Sequence, residues 1–131
     1  MKILLDTHIW IWSVSKAQKL ARPVARALEN PRNELRLSPV SIWEAIVLTE
    51  KGRLKGIREG IEWIDRARQA LPLQDAPFTA EVAREAGNLR FAHRDPADRL
   101  IVATARAHRC VLVTADREII QSGLVETMAN H

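Results

Sequence analysis

The chain has 131 residues, of which 47% are hydrophobic and 27% charged, and 20 Lys and Arg against 16 Asp and Glu give it a net charge of +4. This balance excludes a disordered or collagen-like chain, and the length predicts a single globular domain over residues 1–131. No apolar run approaches the roughly 20 residues of a membrane span, and the one cysteine, Cys110, excludes an internal disulfide, so a cytoplasmic protein is expected.

Short apolar runs predict the strands of a sheet. Ile3–Leu5 is typical of a strand buried on both faces, Leu35–Leu37 and Leu71–Leu73 are weaker candidates, Val111–Val113 is a second buried strand, and Leu124–Met128 is expected at an edge. Because these runs alternate with helical patterns, the predicted fold class is α/β, with helices covering a central parallel sheet.

Five segments between the strands carry helical patterns. Ser38 with Pro39 and Asp95 with Pro96 are pairs of N-cap and first-turn residues, and each pair precedes an apolar segment. The helix after Asp95 is apolar on most sides, which predicts that it lies deep in the fold. The predicted helices are Ala21–Asn30, Val40–Lys51, Ile57–Ala70, Thr79–Leu89 and Ala97–His108.

Two aspartates follow the two most apolar strands. Asp6 comes directly after Ile3–Leu5, and Asp116 comes shortly after Val111–Val113. In open parallel sheets, ligands bind at the carboxyl ends of the strands, so the two carboxylates predict a site there. Taken alone, each residue is equally well explained as a helix N-cap or a turn aspartate.

Glu44 lies in the middle of a predicted helix, on an apolar stripe beside Trp43 and Val47. Burying an unpaired carboxylate costs several kcal/mol, roughly, so a buried Glu44 requires a cation or a hydrogen-bond donor as its partner. The alternative is an exposed glutamate at the edge of the stripe, paired with a lysine.

Asp95 and Asp98 open the apolar helix that follows. Their spacing around a proline fits an N-cap residue with its third-position partner, and it also allows a first-turn acid to face a cation. Arg99 either binds phosphate or pairs with Asp95, and the sequence leaves both possibilities open.

Two hydroxyl residues stand close to the acids. Thr114 precedes Asp116 by two residues, and Ser41 precedes Glu44 by about one helical turn. Each is a candidate for orienting a neighbouring carboxylate through a hydrogen bond, and each is also compatible with an ordinary structural role.

An acidic cluster in a basic chain predicts metal-assisted chemistry on a polyanion. Oxygen ligands with few imidazoles and no suitable thiols select Mg²⁺ or Mn²⁺ over zinc. Such ions hold phosphate oxygens and activate water for in-line displacement, so no nucleophilic side chain is needed. The surplus of Lys and Arg outside the cluster favours attraction of a nucleic acid.

The order of the acids resembles the PIN-domain pattern. It consists of Asp6-Thr7 after a strand, Glu44 in a helix, Asp95-Pro96-Ala97-Asp98-Arg99 opening a buried helix, and Thr114-Ala115-Asp116 after a strand. The short chain and the segment DRLIVATA at positions 98–105 look most like the VapC-type toxins of prokaryotic toxin–antitoxin pairs. The resemblance extends over essentially the whole chain.

The resemblance implies a three-layer α/β/α fold with about five parallel strands and an endoribonuclease activity that depends on Mg²⁺ or Mn²⁺. It further implies a homodimer and a cognate antitoxin protein that inserts into the acidic groove. His8 stands at a variable position and receives no role. By resemblance, the catalytic acids are Asp6, Glu44, Asp98 and Asp116, the metal ligands are Asp6, Asp98 and Asp116, Asp95 is an accompanying acid, and Thr114 is a supporting residue.

Other functions remain open at this point. A non-catalytic metal- or nucleic-acid-binding module and a structure-specific DNA nuclease are both compatible with the acids. A phosphate-transferring hydrolase is disfavoured because Asp6 lacks a second acid two residues further on.

Tryptophan is frequent for so short a chain. Trp10 and Trp12 alternate with Ile9 and Ile11, which indicates either core packing or a face exposed to a partner.

Overall fold

The computed structural model describes residues 1–53, 60–91 and 95–131. Within these ranges, no helix is both long enough and apolar enough to cross a membrane. The strands are β1 (Lys2–Leu5), β2 (Glu34–Leu37), β3 (Gln74–Asp75), β4 (Val111–Thr114) and β5 (Thr127–Ala129). The helices are α1 (Thr7–Ser15), α2 (Arg22–Glu29), α3 (Pro39–Glu50), α4 (Gly60–Ala70), α5 (Ala80–Asn88), α6 (Pro96–His108) and α7 (Arg117–Ser122).

The five strands form one sheet in the order β3-β2-β1-β4-β5, and every neighbouring pair is parallel. Ile3 of the central strand pairs with Leu35 on one side and with Val111 on the other. Strand β1 is therefore central, with β2 and β3 on one side of it and β4 and β5 on the other. In sheets of this kind, ligands bind where the strand order reverses, which here is the carboxyl ends of β1 and β4.

Helices cover both faces of the sheet and enclose two apolar cores. Successive strand residues point to opposite faces, so Leu4 packs with α5, α6 and α7, whereas Ile3 and Leu5 pack with α1 to α4. This arrangement confirms the predicted three-layer α/β/α class. The deep position predicted for α6 is also confirmed, because Ile101 and Val102 are fully buried.

Two predicted strands are displaced along the chain. Leu71–Leu73 is not a strand. Leu71 and Leu73 follow α4 and pack against the core, and pairing with β2 begins only where Arg36 meets Gln74. In Leu124–Met128, only the last two residues belong to β5. Leu124 and Val125 pack against the α6 side of the sheet before the strand begins.

Two helices were not predicted from the sequence. In α1 the run Ile9-Trp10-Ile11 consists of residues that favour strands, yet all three side chains are buried by a helix that Asp6 caps. Helix α7 has only six residues and is capped by Asp116. The five predicted helices are present within one or two residues of the expected ends, except that positions 57–59 lie outside the described residues.

Candidate active site

The predicted acids meet in one cleft at the carboxyl ends of β1 and β4. The cleft has a volume of about 280 Å³. Its carboxylates come from segments far apart in the sequence, so the fold, and not local spacing, brings them together. The cleft is lined by Asp6, His8, Trp12, Glu44, Asp95, Asp98, Ala115 and Asp116.

Asp6 is the most enclosed of these acids, with 8% of its surface exposed. One carboxylate oxygen accepts a hydrogen bond from the backbone N–H of Thr7 at 2.8 Å, and the other accepts from the Thr114 hydroxyl at 2.6 Å. Burial raises the pKa of Asp6, and the negative charge of Asp116 raises it further, although the two hydrogen bonds act in the opposite direction. The site thus holds this carboxylate rigidly and disfavours its charge.

Thr114 connects two of the acids. Its hydroxyl donates to Asp6 and accepts a hydrogen bond from the backbone N–H of Asp116 at 3.0 Å. Thr114 is fully buried at the end of β4, so neither contact is exchanged for water. The contacts agree with the orienting role expected for this threonine.

Glu44, Asp95 and Asp98 form a second group, in which one oxygen of each carboxylate lies within 4.8 Å of the others. Glu44 is half-buried on α3, and burial raises its pKa. The negative charges of Asp6 and Asp95 raise this pKa further, whereas the hydroxyl of Thr7 lowers it. The group matches the chemistry of a cation site, because like charges so close together are stabilised by a positive partner.

The partner of the Ser41 side chain is the hydroxyl of Thr7 and not one of the carboxylates. The Ser41 oxygen accepts a hydrogen bond of 2.9 Å from the Thr7 hydroxyl, and both residues are buried. Ser41 therefore links α3 to the start of α1, next to Asp6. Any support that it gives to the acids is exerted through Thr7.

Three of the acids also cap helices. Asp6, Asp95 and Asp116 accept hydrogen bonds from the first backbone N–H groups of α1, α6 and α7. A role as a helix cap and a role in the cleft are therefore compatible for each of these residues. Capping fixes each side chain at the cleft, and the positive ends of α1 and α6 partly offset the repulsion among the carboxylates.

The structure gives Arg99 backbone carbonyls as partners, and binding of phosphate by this residue stays a prediction. Its guanidinium donates to the backbone carbonyls of Leu89 and Phe91 at 2.8 Å each, and to that of Ala86 at 3.3 Å. It thereby binds carbonyls at the end of α5, where a helix leaves such groups without partners. Arg99 holds the segment that leads towards Asp95.

Sequence reasoning missed His8 and Trp12 as lining residues of the cleft. Their spacing of four residues places them on one face of a helix, but this signal is meaningful only once the segment is known to be helical. The N-cap character of Asp6 is the signal from which α1 could have been predicted.

The donor set of the cleft fits a hard cation. Its five carboxylates offer oxygen ligands, the described lining residues include one imidazole and no thiol, and such a set favours Mg²⁺-like ions over zinc. An acidic, partly buried cleft of this kind suits the binding of a metal against a phosphate group.

The chain is similar to known proteins over most of its length. A sequence profile of the PIN domain matches residues 3–123. Ribonuclease VapC22 of Mycobacterium tuberculosis is 32% identical over 118 residues, which cover 89% of this chain and 88% of that protein. A toxin–antitoxin complex from Klebsiella pneumoniae shares 26% identity at a TM-score of 0.65 over 94% of both chains. VapBC2 from Rickettsia felis, bound to a promoter DNA fragment, shares 20% identity at a TM-score of 0.74 over 100% of both chains.

Proposed function

The chain belongs to the PIN-domain family, and from this premise we propose that it is a metal-dependent endoribonuclease, the toxin of a VapBC-like toxin–antitoxin pair. The observation that carries the proposal is the convergence of five carboxylates in one cleft. The 32% identity to a VapC ribonuclease supports RNA as the substrate. An RNA substrate and the unpaired thiol of Cys110 favour the cytoplasm as its location.

Asp6, Asp98 and Asp116 are the proposed metal ligands. Glu44 and Asp95 lie close enough to Asp98 to join them, directly or through water. A bound Mg²⁺ or Mn²⁺ would supply an activated water and would neutralise charge on the phosphate oxygens during hydrolysis.

The side chains of the cleft also orient the carboxylates and accept a proton. Thr114 holds one oxygen of Asp6 and the backbone of Asp116, so these two carboxylates keep a fixed relative orientation. Glu44 lies beside the carboxylates of Asp95 and Asp98, and we assign to it the role of accepting a proton from the attacking water.

The proposed partners are a cognate antitoxin and a second copy of the chain. The likeness to the Klebsiella pneumoniae toxin–antitoxin complex supports the antitoxin. Trp43 on α3 and Ile61 on α4 are 62% and 66% exposed, and these two helices pack against each other. Large exposed apolar side chains of this kind are typically buried at subunit interfaces, which supports a homodimer.

The test of the proposed function is cleavage of total cellular RNA by the purified, antitoxin-free chain. Reactions contain Mg²⁺, Mn²⁺ or EDTA and run beside an Asp98→Asn variant prepared identically. We expect discrete fragments with either metal, none with EDTA and none from the variant, because Asp98 supplies a ligand oxygen.

Two results would overturn the proposal. Equal cleavage by both proteins would identify a contaminating nuclease, and the absence of cleavage by both would favour a non-catalytic binding module. Parallel reactions on single-stranded and flap DNA distinguish a ribonuclease from a DNA nuclease, since the same carboxylate chemistry serves both nucleic acids.

Metal affinity is expected to fall as the pH is lowered. The fall is expected to begin at a higher pH than it would for ordinary carboxyl groups. Carboxyl groups with an ordinary pKa of about 4 stay ionised down to pH ~5. The pKa values of Asp6 and Glu44 are raised, so protons compete with the metal at higher pH, and metal binding weakens as the pH is lowered from about 7 towards 5. Calorimetric titration with Mn²⁺ at three pH values, in buffers of different ionisation enthalpy, measures the affinity and the protons released. An affinity independent of pH in this window would contradict the prediction.

A further inference from the structure

Two aromatic rings line the cleft beside the carboxylates, and the proposed hydrolysis uses neither of them. His8 and Trp12 are four residues apart on α1, so both side chains lie on the same face of that helix. Their ring centroids are 5.9 Å apart, and the ring planes are inclined by 56°. Because Asp6 caps the same helix, the surface of the cleft passes directly from a carboxylate to the two rings.

These two rings are more exposed than the neighbouring tryptophan of α1, Trp10. Trp10 is fully buried, and its ring packs against that of Trp63 with 5.6 Å between the centroids. Trp12 is only half-buried, and His8 is exposed. Core packing accounts for Trp10, but it leaves ring surface of Trp12 and His8 facing the cleft.

A cation lies beside the ring of Trp12. The ammonium of Lys19 lies 5.2 Å from the centroid of the Trp12 ring, in the short 3₁₀ turn that follows α1. Cations are attracted to the faces of tryptophan rings, so this lysine is held beside Trp12. The carboxylates and the two rings thus share one cleft, and the ring of Trp12 also contacts a positive charge.

We propose that His8, Trp12 and Lys19 form a subsite for one unpaired nucleotide adjacent to the carboxylates, an inference that rests on the proposed ribonuclease function. The base stacks on the open surface of the rings, and Lys19 contacts a backbone phosphate. A nucleobase has an uncharged π face, which is the part of RNA that aromatic rings bind whatever the base sequence. A base stacked within a duplex does not present this face, so the subsite selects single-stranded RNA.

Binding to a 12-nucleotide RNA of random sequence, followed by fluorescence anisotropy, tests the subsite. The full chain carries Asp98→Asn, so that cleavage does not interfere. We expect Trp12→Leu to weaken binding about tenfold and Trp12→Phe to restore it to within about threefold, because phenylalanine keeps a stacking face. Trp63→Leu is the matched control and leaves the affinity unchanged, because Trp63 packs against Trp10 and is not among the residues lining the cleft.

Lys19→Gln provides a second variant that does not alter the rings. Loss of one phosphate contact is expected to lower the salt dependence of single-strand binding by about 0.7 in the slope of log K against log salt. An unchanged slope would remove Lys19 from the subsite.

The subsite is overturned if Trp12→Leu binds the single strand as tightly as the parent, or if Trp12→Phe binds as weakly as Trp12→Leu. An equal loss of binding to a 12-base-pair RNA duplex would also overturn it. Cleavage by the chain with Asp98 intact is measured separately. Binding that depends on Trp12 without any cleavage would support the subsite and reject the ribonuclease function, so the two failures are distinguishable.

Discussion

Asp6→Asn is expected to lower kcat for RNA cleavage by at least about 100-fold, because loss of a direct ligand costs more than the 10- to 100-fold typical of residues that only support ligands. The same change is expected to leave the metal-free protein as stable as the parent, or up to ~2 kcal/mol more stable at pH 7. Asparagine can accept from the Thr7 N–H and donate to the Thr114 hydroxyl, so both contacts of Asp6 are retained.

The expected gain in stability follows from the direction of the pKa shift. Burial raises the pKa of Asp6 in the folded chain, so below the unfolded value of ~3.9 both states hold the proton and the side chain costs nothing. As pH rises through the unfolded value towards the raised folded value, the unfolded chain releases its proton first and the free energy of unfolding falls. At pH 7 the unfolded chain has released its proton, so this cost is present in the parent protein, and asparagine removes it.

Urea unfolding in EDTA at pH 7, together with single-turnover cleavage, measures both effects of Asp6→Asn. Asp75→Asn is the matched control, because Asp75 is exposed and pairs with Arg68 at 3.6 Å outside the cleft. This control should change neither quantity appreciably, since exposed ion pairs contribute little. A large destabilisation by Asp6→Asn would contradict the prediction, because asparagine caps a helix as well as aspartate and the loss would then come from the carboxylate itself.

Arg99→Lys is expected to destabilise the protein by about 2–3 kcal/mol, although the positive charge is kept. A lysine ammonium cannot reproduce the planar fork that donates to the carbonyls of Ala86, Leu89 and Phe91, so at least one carbonyl loses a charge-assisted hydrogen bond. Cleavage should fall as well, because this contact holds the chain that leads to Asp95.

The midpoint and slope of urea unfolding measure the effect of Arg99→Lys. Arg68→Lys serves as the control, because it alters only the exposed pair with Asp75 and should cost less than ~0.5 kcal/mol. Equal stability of the two variants would mean that the three carbonyl contacts of Arg99 contribute nothing net. A normal free energy of unfolding with lost cleavage would instead favour a direct contact of Arg99 with RNA.

Local signals in the sequence were sufficient for most of the framework. The apolar runs at β1 and β4, the capping pairs before α3 and α6, and the apolar surface of α6 are determined by nearby residues and predicted the elements correctly. The carboxyl ends of parallel strands lie at one edge of a sheet, so the positions of Asp6 and Asp116 also predicted where the cleft would form.

The sequence by itself therefore determined the fold class, most of the helices and the set of acids, because hydrophobic periodicity and capping act within a few residues. Only the tertiary structure decided that Ile9-Trp10-Ile11 is helical, that the strand after α4 starts at Gln74, and which carbonyls Arg99 binds. It also decided that His8 and Trp12 join the carboxylates in one cleft. These outcomes depend on burial and on hydrogen bonds between segments distant in sequence, which override local propensity and cannot be read from residue spacing alone.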